Sequence, residues 1–515
     1  MMKDRLPRYP LLLSLYPALA LLANNLEEIK LTAGLRVLAF SLLGAIVLTG
    51  VLKLVFKDWQ RAGLGAALFL LLFFSYGHVY GALKASAALG AVVGRHRFLG
   101  PLWLALLLGL GWWTLYRVKD RGNLENGLNA IAVILLVFPV YQIIAFQFRA
   151  AAIQADQGQS AAEAHALSLP EGQTPPDIYY IILDAYARDD SLLEDYHLDN
   201  SPFLEHLGEL GFFVARCSQS NYAQTKLSLS SALTMNYLEA FYDNAESGNT
   251  SRIGIENYIL HPAAREMLED LGYQTVAFET GFTWSQMNDA SYYFSPNQGL
   301  FEKLGIRGGL NDFETLFTQS TAAVLLTDAG QKIPATMPAG GGRSQESHRQ
   351  RVLYVLDKLS EVPLIPGPKF VFAHILSPHP PYVFGPDDGK AIFSANEVQA
   401  YADQVVYLNG RFEAIIAEIL ANSETEPIII IQGDHGGTSA PKDARMQILN
   451  AYYFPGEGKS QLYANITPVN SFRLVFNTYF GGNFEMLEDA SYYSHYNAPY
   501  EYEIVPVVRE GCEAK

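Results

Sequence analysis

The sequence predicts a five-helix transmembrane domain followed by an α/β sandwich built on a mainly parallel central sheet. Three observations carry that expectation. Five long apolar stretches fill the first 150 residues, the charge changes sign where they end, and from Asp177 short apolar strand patterns alternate with amphipathic helical ones. The expected division is a transmembrane domain over 1–149, an interfacial helix or linker over 150–176, and one polar domain over 177–515.

The apolar stretches run over roughly 9–25, 37–56, 63–83, 99–116 and 129–148, each close to the ~20 residues a helix needs to cross a bilayer. The first is interrupted by Pro10 and Pro17. It also fits a signal peptide, but the four further spans and the lack of a small-residue cleavage site favour its retention. Lys3, Arg5, Arg8, Lys53, Lys57, Arg61, Arg117, Lys119 and Arg121 fall on one side of such a bundle. Lys30, Arg36, Lys84, Arg95 and Arg97 fall on the other, so the more basic side is assigned to the cytoplasm. An odd number of spans then exports residue 151 onward, which makes the chain a multi-pass protein of the cytoplasmic (inner) membrane with an extracytoplasmic domain. Within the spans, His78 with Tyr76 and Tyr80 suits either a lipid-headgroup site or the interfacial aromatic belt. The stretch from Ala150 to Pro176 reads equally as an interfacial helix with a linker or as a plain linker.

Residues 1–150 carry 15 Lys+Arg and 6 Asp+Glu, net +9, leaving 21 and 46 for the rest of the chain, net −25. So acidic a domain opposes non-specific nucleic-acid binding, and no nucleic-acid partner is expected. The two cysteines, Cys217 and Cys512, have none of the paired spacings of zinc or redox motifs. They form one disulfide in an oxidising compartment, or stay as separate thiols.

In the polar domain, IYYIIL (178–183), QTVAF (274–278), FVFAHIL (370–376) and PIIIIQ (427–432) read as buried parallel strands. Stretches 201–210, 256–271, 346–360 and 395–421 read as helices between them. The Pro-, Gly- and Ser-rich stretch 331–347 reads as a loop that is either a mobile lid or, the favoured reading, a disordered excursion, and the tyrosines at 492, 493, 496, 500 and 502 as a final strand or a glycan-stacking surface.

Ligands of doubly wound sheets sit at the carboxyl ends of the strands, and three of these strand ends carry acids and histidines. Asp184 follows the first strand, the third carries His374 near its end with His379 after it, and Asp434 and His435 follow the fourth. One such acid is commonly a turn or cap residue, but carboxylates with an imidazole form a ligand set for a divalent cation. Thr225, where a loop enters an apolar helix, is either a nucleophile favoured by the helix N-terminus and a bound cation, or an N-cap; Ser228 is one turn on.

The order LDAY (183–186), NYAQTKLS (221–228), HILSPHPPY (374–382) and GDHGG (433–437) resembles the sulfatase-like branch of the alkaline phosphatase superfamily. With the five apolar segments ahead of it, the chain resembles the membrane-anchored lipoteichoic acid synthases and phosphoethanolamine transferases. The resemblance implies that Asp184, Thr225, Asp434 and His435 hold a divalent cation, Mn2+, Zn2+, Mg2+ or Ca2+, with a second as an option. It implies that Thr225 is the catalytic nucleophile and that His379 holds the substrate phosphate, while His374 is structural.

Two departures bear on the substrate. The first acid is Asp184 where those transferases have Glu, and no histidine lies in 436–450, where Lys442 and Arg445 offer positive charge for substrate binding instead. The SQSN after Cys217 also lacks the sulfatase signature for conversion to formylglycine. The expected function is transfer of phosphoglycerol, phosphoethanolamine or a similar unit from a membrane phospholipid to an envelope glycan or lipid, through a phospho-threonine. The alternative is a membrane-anchored hydrolase of phosphate or sulfate esters using the same site.

Overall fold

In the computed structural model the described residues are 6–26, 28–29, 31–86, 94–117, 121–157, 167–169, 172, 174–296, 312–328, 341–387, 396–438, 440–506 and 512. Lys3, Arg5, Lys30, Lys119 and most of the expected loop 331–347 lie outside them. The chain divides into two compact units: residues 1–152 with 299–347, and residues 153–298 with 348–515.

The first unit contains α1 (Tyr9–Ala23), α2 (Leu35–Phe56), α3 (Trp59–Ala85), α4 (His96–Tyr116) and α5 (Arg121–Gln157) up to residue 152. Among the described residues four helices, α2 to α5, are long and apolar enough to cross a membrane, in place of the five expected. The first apolar stretch falls short because the polar run Asn24–Asn25 ends α1 after 15 residues, about 22 Å against a hydrocarbon core of ~30 Å. α1 packs on its neighbours instead, with Tyr9, Ala18 and Leu22 buried. His78 is exposed on α3, and the imidazole that meets Tyr76 and Tyr80 is His96, 2.8 Å from the Tyr76 hydroxyl and stacked on the Tyr80 ring at 4.0 Å. α5 continues through residue 157, so the start of the expected interfacial segment is a continuation of the last long helix.

The same unit holds a helix from the middle of the sequence, α7 (Asp312–Ser320). Its C-terminal end lies so close to α3 that a Cβ on Gly77 would stand 2.2 Å from the Gln319 carbonyl oxygen. The Ala322 N–H donates to the Phe73 carbonyl at 2.8 Å.

The second unit is built on a seven-stranded sheet in the order β2-β7-β6-β1-β5-β3-β4. Its strands are β1 (Ile178–Leu183), β2 (Phe213–Val214), β3 (Gln274–Phe278), β4 (Tyr292–Phe294), β5 (Lys369–Ile375), β6 (Ile428–Gln432) and β7 (Asn450–Tyr453). β1 pairs in parallel with both β5 and β6, β3 pairs in parallel with β5 and β4, and β7 alone runs against β6. The continuous apolar sequence of β1 follows from burial on both faces. Tyr179, Ile181 and Leu183 enter one core, with α8 (Gly341–Leu359) and α9 (Glu397–Asn422) over it. Ile178, Tyr180 and Ile182 enter the other, under α6 (Thr225–Thr234) and the helix Pro468–Tyr479. Because β6, β1 and β5 are neighbours, their carboxyl ends open side by side, which places the segments after Leu183, Ile375 and Gln432 together.

α8 begins at residue 341, inside the stretch read as a loop. The aromatic tail forms a small antiparallel pair, β8 (Tyr492–Tyr493) with β9 (Glu503–Ile504), and Tyr492 stacks on Tyr222 at 5.7 Å. Cys217 and Cys512 form a disulfide across 295 residues of sequence, which closes the alternative left open by their spacing.

Candidate metal centre

Asp184, Asp434 and His435 converge at the ends of β1 and β6, all buried, with ligand atoms within 4.8 Å of one another. The backbone sets each side chain. Ala185 adopts a left-handed φ of 66°, where its N–H donates to Asp434 Oδ1 at 2.9 Å and its carbonyl accepts from the Tyr401 hydroxyl at 2.6 Å. That leaves Asp434 Oδ2, 3.4 Å from His435 Nε2, without a hydrogen-bond partner. Asp184 Oδ1, 3.7 Å from the same nitrogen, also has none. His435 Nδ1 lies 2.8 Å from the Gly436 carbonyl; since a carbonyl only accepts, Nδ1 carries the proton and Nε2 offers its lone pair toward the two carboxylates. Two orphaned buried carboxylate oxygens facing an imidazole lone pair are costly without a cation and form a hard, mixed N/O ligand set with one. The residues present fit a divalent ion.

Thr225 stands beside this group. It is the first residue of α6, and its Oγ1 lies 3.2 Å from His435 Nε2. The N-cap position belongs to Gln224, which makes no side-chain cap bond, and the Thr225 hydroxyl faces His435. The free N–H groups of the first turn add positive potential around it.

The remaining sequence candidates divide. His379 follows β5, its N–H donating to the Asp184 carbonyl at 2.9 Å; its partly exposed ring is 6.3 Å from that of His435, and its Nδ1 donates to the Pro380 carbonyl at 2.7 Å. Arg445 reaches the cluster: its Nη2 stands 3.2 Å from His435 Nε2 and its Nε donates to the Ala223 carbonyl at 3.1 Å. Lys442 does not, being paired with Glu503 and set 5.7 Å above the Tyr493 ring. His374, read as structural, stands with Nε2 3.4 Å from Asp184 Oδ2. Ser228 is buried in α6 with its hydroxyl unpartnered.

Three groups beside the site escaped sequence reasoning. Lys226, only 6% exposed, places its ammonium 5.3 Å from the Trp284 ring, and Trp284 lies 5.8 Å from the His374 ring. A lysine directly after the candidate nucleophile was the available signal. His348, buried on α8, had none, because nothing in the local sequence of that helix distinguishes it.

Burial works to raise the Asp184 carboxyl, but His379, His374 and His435 outweigh it and hold the group well below the usual carboxylate range. Burial, with the Arg445 charge second, pushes the His435 imidazole down to about 4. Burial, with Arg351 second, pushes His348 down to about 3. His348 thus stays neutral when folded, whereas an unfolded histidine takes up a proton below about 6.5. Stability contributed by that neutral imidazole is complete above about pH 6.5 and is lost as pH falls toward 3, by up to ~1.4 kcal/mol per pH unit. Thermal unfolding of the full chain between about pH 7 and 4 is expected to show this decline, and His348→Gln to flatten it; identical slopes would remove His348 from the cause.

The glycines of GDHGG hold the strand end against its surroundings. A Cβ on Gly436 would lie 2.2 Å from the Ala444 carbonyl oxygen, and the Gly436 N–H donates to the Arg445 carbonyl at 2.7 Å. Gly436→Ala must therefore displace the backbone that carries Arg445. The expected cost is about 1–3 kcal/mol of stability, measured as a lowered denaturant midpoint together with weakened cation binding.

With the geometry established, known proteins give a comparison. A family model described as Sulfatase matches residues 176–474. No curated protein matches the sequence. Among solved structures, the zinc complex of the C-terminal periplasmic domain of EptC from Escherichia coli is 14% identical, with a TM-score of 0.43, over 65% of this chain and 96% of that one. The integral membrane lipooligosaccharide phosphoethanolamine transferase EptA from Neisseria meningitidis is 13% identical, with a TM-score of 0.39, over 92% and 96%. A putative sulfatase, YidJ of Bacteroides fragilis, is 14% identical, with a TM-score of 0.35, over 64% and 83%.

Proposed function

The chain belongs to the sulfatase family, and from that premise we propose that it is a membrane-anchored phosphotransferase. It takes a phospho-group such as phosphoglycerol or phosphoethanolamine from a membrane phospholipid and passes it to an envelope glycan or lipid. The observation that carries this reading is the Thr225 hydroxyl at a helix N-terminus, 3.2 Å from His435 Nε2 and beside two buried carboxylates with an orphaned oxygen each. The four long apolar helices put the same chain in the bilayer that supplies such donors.

Asp184, Asp434, His435 and the Thr225 hydroxyl are the groups that would hold a divalent cation, which as a Lewis acid lowers the hydroxyl pKa and stabilises charge on phosphoryl oxygens. Thr225 Oγ attacks phosphorus. The new O–P bond forms as the bond from phosphorus to the diacylglycerol oxygen breaks, and the threonine proton is balanced by the proton the departing alkoxide takes up. The acceptor hydroxyl then attacks the phospho-threonine in the same sense and returns the proton to Thr225. Arg445 and His379 both lie beside His435 and would supply the positive charge or hydrogen bonds that the phosphate oxygens need. Cys217 is tied to Cys512, so no thiol is left there for formylglycine chemistry.

The test is release of diacylglycerol from mixed bilayers by the full chain with added divalent cation, with and without chelator. Chelator-sensitive release is the expected result. No release, together with turnover of soluble phosphate or sulfate esters, would replace transfer by hydrolysis at this centre.

A further inference from the structure

Gln224, the residue directly before Thr225, breaks a local rule. It holds the N-cap position of α6 with extended backbone, φ −125° and ψ 135°, where Ser, Thr, Asp or Asn would cap the helix, and its side chain makes no cap bond. The helix still begins there, since the Gln224 carbonyl accepts the Ser228 N–H at 2.9 Å. The side-chain amide is engaged elsewhere. Its Oε1 accepts from Arg252 Nε at 3.1 Å and from Arg252 Nη2 at 2.6 Å, while its Nε2 donates to the Ser494 hydroxyl at 3.1 Å and to the His495 carbonyl at 3.2 Å. Gln224, Arg252 and Ser494 are all buried.

Four bonds are the full hydrogen-bonding capacity of a primary amide, so nothing on the Gln224 side chain is left to meet a substrate. Its role is positional. Arg252 is held in turn by the tail: Nη2 also donates to the Tyr496 carbonyl, and the guanidinium carbon lies 4.4 Å from the centre of the Tyr496 ring. Three residues earlier the same loop is fixed at Asn221, whose carbonyl accepts the Tyr492 N–H at 2.8 Å and whose Nδ2 donates to the Ala490 carbonyl at 2.9 Å. A backbone rotation at Gln224 would swing the Thr225 Cα–Cβ bond, and about 1 Å of misplacement at a reacting atom costs about 100-fold in rate.

We infer that Gln224, clamped by Arg252 and the tail, is a positioning residue that fixes the start of α6 and so keeps the Thr225 hydroxyl 3.2 Å from His435 Nε2. The inference rests on Thr225 as the nucleophile. Asp184, Asp434 and His435 follow their own strands, so cation binding does not depend on the clamp. The opposite end of α6 supplies a control. There Arg473 Nε donates to the carbonyl of Met235, the C-cap residue, at 2.7 Å, and its Nη1 to the Glu485 carbonyl at 2.6 Å. This second arginine anchors the same helix away from the nucleophile loop.

The experiment measures diacylglycerol release and Mn2+ affinity of the full chain for Gln224→Met, Arg252→Ala, Arg473→Ala and Thr225→Ala. Gln224→Met, which keeps the volume and removes the bonds, and Arg252→Ala should each lower kcat about 100-fold with KM and Mn2+ affinity unchanged. Added guanidinium ion should restore much of the rate to Arg252→Ala and none to Gln224→Met. Arg473→Ala should lower the denaturant midpoint and leave kcat unchanged. Wild-type kcat in either clamp variant, equal losses in Arg473→Ala, a parallel loss of Mn2+ affinity, or no recovery with guanidinium would each overturn the positioning role while an inactive Thr225→Ala keeps the nucleophile. Normal turnover by Thr225→Ala would overturn the nucleophile and this inference with it.

Discussion

Replacing Thr225 with alanine should lower turnover by at least about 1,000-fold while leaving the fold and the bound cation largely in place. The structural cost is small because the Thr225 side chain does not cap α6, whose N-cap is Gln224, and alanine is well tolerated in a first helical turn. Asp184, Asp434 and His435 remain to hold the ion, so metal content should fall far less than rate. Removing only the attacking atom eliminates the step that makes the O–P bond, and what persists is whatever the cation and the flanking charges achieve with water. Rates and bound metal measured on the same preparation check this. A variant that turns over normally would leave Thr225 as a helix residue beside the centre.

Asp434→Asn is the second large effect, and it separates scaffold from chemistry. Asparagine retains an oxygen that can accept the Ala185 N–H, now held at 2.9 Å by Asp434 Oδ1. The left-handed turn after Asp184 therefore survives. What disappears is the negative charge at Oδ2, the orphaned oxygen 3.4 Å from His435 Nε2. Loss of outer partners alone lowers metal affinity about 10- to 100-fold, and loss of an inner charge should reach at least the upper end of that range. Titration of the metal-stripped protein with Mn2+ or Zn2+ measures it. Unchanged affinity would mean that Asp434 serves only to hold Ala185.

Much of this centre was legible in the sequence because one rule places it. Acids and histidines directly after buried parallel strands must gather wherever those strands are neighbours, and β6, β1 and β5 are. The strand cores were equally plain, since a strand buried on both faces, such as IYYIIL, has to be apolar throughout. What failed to show depended on length or on distant packing. The first apolar segment looked like a span until the polar residues after Ala23 ended its helix at 15 residues. The helix Asp312–Ser320 is short and carries charge, so its sequence gave no sign that it groups with the membrane helices and pairs Glu314 with Arg36. Lys226, Trp284 and His348 come to the site from three separate segments, and no local pattern joins them. Arg445 and Lys442 looked alike as replacements for a missing histidine, and only their packing separates them, Lys442 pairing with Glu503 and Arg445 reaching His435.

The measurement that bears most directly on the centre is mass spectrometry of the Thr225 peptide, from wild type and Thr225→Ala, after incubation of the full chain with divalent cation and mixed phospholipids. A phospho-group adduct on Thr225 in the wild type alone, matched by released diacylglycerol, is the expected result, and its mass identifies the transferred unit. Diacylglycerol released equally by both proteins, with no adduct on either, would contradict a covalent phospho-threonine and assign the attack to water.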